Sequence, residues 1–232
     1  PDLMPYPQEA DGYATVIQTG KPAFQWSDAT LNFKRPNKNN LIIYELWVYD
    51  YTPERSIAGL MKRLDYIENL GVNAIELMPV TEFDGNYNWG YSPNHYFALD
   101  KAYGTPEQLK AFIDECHKRG IAVILDMVFN HATGLNPMNK LYPYGTDLAQ
   151  NPWFNVTAPH SDNVYEDWNH DFELAKLMFT CALQYWLKEY KIDGYRMDLS
   201  HGLCGTTNNA MTHIADYYNN GVKAVSEDAY FI

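Results

Sequence analysis

The sequence predicts an α/β protein built as the N-terminal half of a (β/α)8 TIM barrel, with about four strand–helix units and the start of a fifth strand. Three observations carry this. From residue 41 onward, apolar runs alternate with helical patterns, the signature of parallel strands joined by helical crossovers. No G-x-G-x-x-G and no P-loop follows any strand, so a doubly wound nucleotide-binding sheet lacks its usual mark. Long connections follow the second and third strands, at residues 81–104 and 132–170, where a barrel carries its functional loops.

Each element has a local reason. Residues 1–40 are rich in Pro, Asn, Gln and Lys and lack periodicity; Leu3–Pro7 reads as extended, and Tyr13–Gln18 as one short strand. Leu41–Val48 is nearly continuous in apolar residues, as in a strand buried on both faces. Ser56–Asn69 repeats Ile57, Leu60, Met61, Leu64 and Ile67 at helical spacing, with Gly71 as the stop. Ala74–Val80 is the second strand. Thr105 caps a helix that runs to Arg119, with Pro106 in its first turn and Gly120 closing it. Ile121–Phe129 is the third strand, Asp171–Tyr190 a helix, Ile192–Leu199 the fourth strand, Asn208–Lys223 a helix, and Ala229–Ile232 opens a fifth strand. A whole barrel has eight such units in about 250 residues. The chain has 232 residues, so its length suits a barrel while its elements amount to half of one.

Composition narrows the function. Hydrophobic residues reach 46%, enough for a packed core, and the net charge of −12 disfavours nucleic acid and anionic membranes. Aromatics at 15% suit stacking on flat ligands such as sugar rings as well as core packing. Cys116, Cys181 and Cys204 match no zinc spacing and no disulfide framework; Cys116 and Cys181 fall in helical patterns and read as core thiols. No signal peptide and no long apolar span occurs, and a cytoplasmic location is the expectation. No H-E-x-x-H points to a metalloenzyme, and no G-x-S-x-G to a serine triad.

The residues with chemistry to offer lie at strand ends. In Gly194-Tyr195-Arg196-Met197-Asp198, period-2 alternation turns Arg196 and Asp198 to one side. A guanidinium beside a carboxylate keeps it ionised, as covalent attack on an acetal carbon requires. The competing reading is a structural ion pair. In Asp126-Met127-Val128-Phe129-Asn130-His131, Asp126 inside an apolar run needs a partner, and His131 stands at the strand's mouth where it can meet a sugar hydroxyl or its own backbone. Asn86–Pro93 carries Tyr87, Trp89 and Tyr91 around Gly90, suited to stacking on a pyranose or to covering a loop. His201 follows Asp198 closely and either lines the same cleft or is a solvated turn residue.

Together these stretches resemble the α-amylase family of glycoside hydrolases over about residues 40–232. Asp126–His131 resembles its first signature and Gly194–Asp198 its second. Trp89-Gly90-Tyr91, with Tyr96-Phe97 and Tyr103-Gly104-Thr105-Pro106, resembles the stretch after strand two of branching enzymes, isoamylases and pullulanases. The resemblance implies Asp198 as nucleophile and Arg196 as the group that keeps it ionised. It implies Tyr91 and His131 lining the subsite of the reacting glucose, with Asp126 in support. Some members bind calcium through the residue equivalent to Asn130; many branching and debranching relatives do not, and neither metal nor other cofactor is expected. The partner it implies is an α-glucan: glycogen, starch or a maltooligosaccharide.

Two departures matter. Many α-amylases carry Lys-His where this chain has His201 and Gly202, which disfavours a simple endo-amylase. The family's acid/base Glu ends strand five, yet Glu227 precedes the run at Ala229–Ile232, so the acid/base is expected just past Ile232. From the resemblance of the lead-in and of the stretch after strand two, the expectation is a 1,4-α-glucan branching enzyme, and from the missing acid/base the present stretch is expected to be an inert fragment. An α-amylase or a debranching hydrolase is the alternative, and a non-catalytic sugar-binding fragment another. Residues 1–40 resemble the linker from an absent N-terminal β-sandwich, and 41–232 the first part of the barrel. An open half-barrel exposes a strand edge that favours self-association.

Overall fold

A computed structural model describes residues 19–141 and 150–232; the expected extended lead-in Leu3–Pro7 and the strand at Tyr13–Gln18 lie outside them. Five parallel strands form the central sheet: β1 (Ile43–Leu46), β2 (Ala74–Leu77), β5 (Ala122–Val128), β8 (Gly194–Asp198) and β9 (Tyr230–Phe231). They lie side by side in chain order, β1-β2-β5-β8-β9. A doubly wound sheet reverses its strand order at a switch point. Among the described residues there is no such reversal, so the sheet winds in one direction, as barrel strands do.

The helices follow the expected order with informative differences. The segment 56–69 is two helices, α3 (Ile57–Met61) and α4 (Leu64–Asn69), because the chain tightens at Lys62–Arg63; Leu60, Leu64 and Ile67 still face the core. Helix α5 (Pro106–Lys118) begins with a capping box: the Thr105 side chain accepts from Gln108 N, and Gln108 accepts from Thr105 N. Helix α7 (Glu173–Tyr185) runs into a π-helical turn, Trp186–Tyr190, that ends at left-handed Lys191. Helix α8 (Ala210–Asp216) continues likewise through Tyr217–Lys223. Cys181, expected in the core, is exposed: the buried stripe of α7 runs through Ala175, Phe179, Ala182 and Leu183, and Cys181 falls off it.

The stretch 81–104 is not a plain loop. It holds an antiparallel hairpin, β3 (Thr81–Phe83) with β4 (Pro93–Leu99). The excursion 132–170 is closed at its base by the short pair β6 (His131–Ala132) and β7 (Glu166–Asp167). Strand β1 is not buried on both faces: Ile42 and Ile43 are exposed, because β1, like β9, is an edge of the sheet. A groove of about 1030 Å³ lies along these edges, lined in part by Leu41, Ile43, Met211, Ile214, Tyr218 and Ile232. Among the described residues no helix is long and apolar enough to cross a membrane.

The two sheet faces differ. The helix-facing side packs Leu46, Ile75, Leu77, Val123, Leu125, Met127, Tyr195 and Met197 into one large core with Phe112, Phe179, Trp186 and their neighbours. The inner side holds a small apolar cluster, Ala74, Ala122, Ile124 and Tyr230, with Phe33 and Leu41 packed against it. Above that layer, toward the C-terminal strand ends, charge takes over. Beneath it, residues 27–35 dock on the N-terminal end of the sheet. Ser27 and Thr30 donate to Asp114 Oδ1, and Arg35 pairs with Asp193 and Asp228.

Candidate active site

Strand register assembles the site. Asp126 on β5 lies level with Arg196 on β8, and Val128 level with Asp198. Asp126, Arg196 and Asp198 thus point to the inner face together. Arg196 Nη1 donates to Asp126 at 3.0 and 3.2 Å and to Asp198 Oδ1 at 2.5 Å. Tyr91 Oη donates to Asp126 Oδ2 at 2.8 Å, which completes that buried carboxylate. The Asp198 side chain is 16% exposed, and no described residue donates to its second oxygen. One carboxylate oxygen is thus held in place by a guanidinium, and the other is left open among the described residues. Leu199, immediately after it, is in the left-handed region (φ 45°), a costly conformation for a leucine that fixes the chain direction just past Asp198.

Tyr91 reaches Asp126 because of Gly90. Its φ is +100°, and a Cβ there would stand 2.3 Å from Pro79 O, so only glycine lets this turn close on strand β2's exit. His131 Nε2 lies 2.8 Å from the Tyr91 carbonyl and donates to it, since a carbonyl only accepts. Its Nδ1 is buried without a partner. Tyr96 Oη donates to the His131 carbonyl and itself receives Trp168 Nε1, so β4 and the excursion anchor the loop from behind.

Electrostatics sort these groups. Burial pushes the Asp126 carboxyl up to about 7 despite Arg196. Burial and the neighbouring Asp126 raise the Tyr91 phenol, and burial lowers His131, keeping its imidazole neutral. Burial pulls Arg196 down, but Asp126 and Asp198 outweigh it and hold the guanidinium charged.

The remaining expected residues are placed differently. Trp89 packs edge-on to Trp47, with ring centroids 6.3 Å apart, and among the described residues no hydrogen bond or ring contact ties it to the Arg196–Asp198 group. His201 pairs with Asp162 of the excursion at 2.8 Å and is largely exposed. Glu227 pairs weakly with Lys223 and lies before β9. Tyr230 is level with Gly194, so Asp198 stands four strand positions, about 13 Å, beyond that level, and Glu227 lies on the other side of it. A retaining pair needs carboxyls about 5–5.5 Å apart, and Glu227 does not meet that.

Two inward carboxylates were missed from the sequence, Glu45 and Glu76. With Asp126 they bring oxygens within 4.8 Å of one another, and burial and Glu45 raise the Glu76 carboxyl. Each sits inside an apolar strand at inward phase, the same signal that marked Asp126. Tyr165, 5.5 Å from the His131 ring, carried no sequence signal at all.

The residues do not fit a calcium ion at Asn130. Both amide atoms of Asn130 are buried without partners, but the carboxylate across the β6 strand, Asp167, already has a donor on each oxygen. It accepts from His160 Nε2 and Asn155 Nδ2, each at 2.7 Å. Calcium takes six to eight oxygens, and no free carboxylate stands there among the described residues.

Parallel strands in chain order with a charged cluster at their C-terminal ends define a TIM-barrel enzyme site. The family comparison makes this specific: the catalytic-domain model of alpha amylase matches residues 30–176, and the chain belongs to the α-amylase family. A malto-oligosyltrehalose trehalohydrolase of Saccharolobus solfataricus is 35% identical over 90% of this chain and 35% of its own length. An intracellular maltogenic amylase of Bacillus subtilis is 31% identical over 62% of this chain and 26% of its own. A crystal structure of a putative alpha amylase from Salmonella typhimurium superposes with a TM-score of 0.75 at 28% identity, over 93% of this chain and 34% of that one. The chain thus spans about a third of the length of the trehalohydrolases it matches.

Proposed function

We propose that this chain carries the nucleophile half of a retaining α-glucan hydrolase. Asp198 attacks the anomeric carbon as the glycosidic C–O bond breaks, which gives a glycosyl-enzyme ester and a leaving-group oxygen that takes a proton from a separate general acid; Arg196 aims the attacking carboxylate. Tyr91 and His131 shape the pocket of the reacting glucose, and Asp126 positions both Arg196 and Tyr91. The observation that carries this is the Asp198 carboxylate: Arg196 holds its Oδ1 at the mouth of the strands, and among the described residues no group donates to its other oxygen. Asp126 is not the proton donor: it is fully buried, with both oxygens engaged. The domain reading, a lead-in followed by the first part of the barrel, belongs to the same proposal, as does self-association across the open groove.

For the substrate, the trehalohydrolases covering 90–97% of the chain at 32–35% identity favour hydrolysis of a maltooligosaccharide with a trehalose end. A branching enzyme is the second reading, supported by the resemblance of the lead-in and of the stretch after strand two to branching enzymes. Product analysis of the full-length protein separates them. Release of trehalose from malto-oligosyltrehalose supports the first. New α-1,6 linkages in amylose, without new reducing ends, support the second. No action on either substrate overturns both.

A further inference from the structure

We infer that a cavity at the N-terminal end of the sheet, bordered by Arg35, Lys188 and Lys191, binds a phosphate group, either inorganic phosphate or the phosphoryl end of a phosphomonoester. This holds whether or not Asp198 is a nucleophile. The cavity is lined by residues just before β8 and β9 and by the lead-in; Asp193 in its wall is five residues along the chain from Asp198, about 16 Å of strand.

The charges around the cavity are uneven. Asp193 is the one carboxylate that lines it, and both its oxygens are occupied: Oδ1 lies 3.0 Å from Arg35 Nε, and Oδ2 accepts from Val123 N at 2.8 Å and His117 Nε2 at 2.9 Å. Arg35 Nη1 donates to Ser226 Oγ and to Asp228 at the rim, while its Nη2 has no partner among the described residues. Most described lysines are paired with a carboxylate, but Lys188 and Lys191 are not. Lys188 donates to the neutral Gln184 Oε1 at 2.9 Å, and the Lys191 ammonium lies 5.9 Å from the Trp26 ring centroid. Glu189, between them in sequence, pairs with Lys110 instead. Two unneutralised ammonium groups and a guanidinium with a spare donor thus border one cavity, in a chain whose net charge is −12.

The backbone adds a second mark. Lys191 ends the π-helical turn Trp186–Tyr190 at φ 53°, a conformation that glycine adopts freely and lysine only at a cost. The competing account is that cations near a helix C-terminus complement its partial negative charge. That account needs no cavity, and it leaves the strained placement of an ammonium group beside this one unexplained. A cation is disfavoured as occupant, because the lining carboxylate has no oxygen to spare. A phosphate group suits several separate N–H donors, with lysine ammonium groups as point charges around it. The cavity holds about 340 Å³, the lower end of the range of about 300–1,000 Å³ for small-molecule sites. Phe33 and Leu187 also line it and offer apolar surface to an esterified group.

Calorimetric titration of the full-length protein with inorganic phosphate and with glucose 6-phosphate, at an ionic strength fixed with chloride, tests this. Lys188→Ala and Lys191→Gly are each expected to weaken binding about tenfold, the scale of one charge-assisted hydrogen bond. Lys191→Gly is the sharper variant, since glycine accepts the left-handed backbone and the fold is kept. Lys62→Ala, which removes an exposed lysine away from the cavity, should stay within about twofold of wild type. Tighter binding of glucose 6-phosphate than of phosphate assigns the space beside Phe33 and Leu187 to the esterified group; equal affinities assign the site to phosphate itself. No binding heat from either probe in the wild type overturns the site. So do Lys188→Ala and Lys191→Gly variants that bind both probes as the wild type does, and if those variants also melt early, the lysines serve the helix end alone.

Discussion

The two ends of the sheet carry the same motif with opposite consequences. At each, one arginine bridges two aspartates. At the N-terminal end, Arg35 joins Asp193 at 3.0 Å and Asp228 at 2.6 Å. Asp193 is buried and saturated: besides Arg35, His117 Nε2 approaches it at 2.9 Å and Val123 N donates at 2.8 Å. At the C-terminal end, Arg196 joins Asp126 and Asp198, and there one oxygen remains open. An Arg–Asp pair therefore does not identify a site; unused acceptor capacity on a positioned carboxylate does. The lower cluster ties residues 27–35 to the barrel floor, and the upper one leaves the carboxylate proposed as nucleophile open to a ligand.

The largest expected effect follows from that contrast. Asp198→Asn should lower turnover of the full-length protein by about 10⁴-fold, the scale of losing a nucleophile or its activating partner, with little change in its melting temperature. Steady-state assay and thermal melting, run side by side, check both halves. A variant that melts early would return Asp198 to the role of a structural pair. Asp193→Ala should do the reverse, costing about 3–5 kcal/mol of stability by leaving a half-buried arginine and a buried histidine without their carboxylate. Denaturant unfolding reads it, and a loss under about 1 kcal/mol would show that the lower cluster does not hold the lead-in in place.

The same contrast explains what the sequence disclosed. Asp126, Arg196 and Asp198 were legible because period-2 alternation in apolar strands puts them on one face, and strand register then joined them. Glu45 and Glu76 obey the same rule and were overlooked because each lies in a run read only for its apolar content. The hairpin β3–β4 was hidden by a three-residue strand and by Pro93 at the start of its partner. Cys181 was misplaced by counting helix residues without their phase. The lower cluster was not legible at all: Thr30 and Arg35 sit in an aperiodic lead-in, and their partners His117, Asp193 and Asp228 are 87 to 193 residues away.

Titration gives a finer distinction between the ends. The folded Asp126 carboxyl, raised to about 7 by burial, is well above its unfolded value of about 3.9. Between those values the folded state holds a proton that the unfolded state has lost, so this group's contribution to stability falls as pH rises from about 4 to about 7. Asp126→Asn removes that dependence. The stability of the variant relative to wild type should climb by on the order of 4 kcal/mol across that window and level off above it. Urea unfolding at four or five pH values checks this; a difference independent of pH would mean that Arg196 fully offsets the burial of Asp126.

The smallest effect is expected at Asp228, and it tests whether the lower arginine is held evenly. Asp228 is 70% exposed, while Asp193 is buried. Water screens an exposed pair, and such pairs contribute about 0–1 kcal/mol. Asp228 also accepts from Ser226 Oγ at 2.8 Å, a local contact that does not depend on Arg35. Asp228→Asn should therefore change unfolding free energy by about 0.5 kcal/mol or less, and the residual effect should shrink further in high salt. A loss approaching that of Asp193→Ala would mean that Arg35 needs both carboxylates, and the lower cluster would then resemble the upper one more closely than its geometry implies.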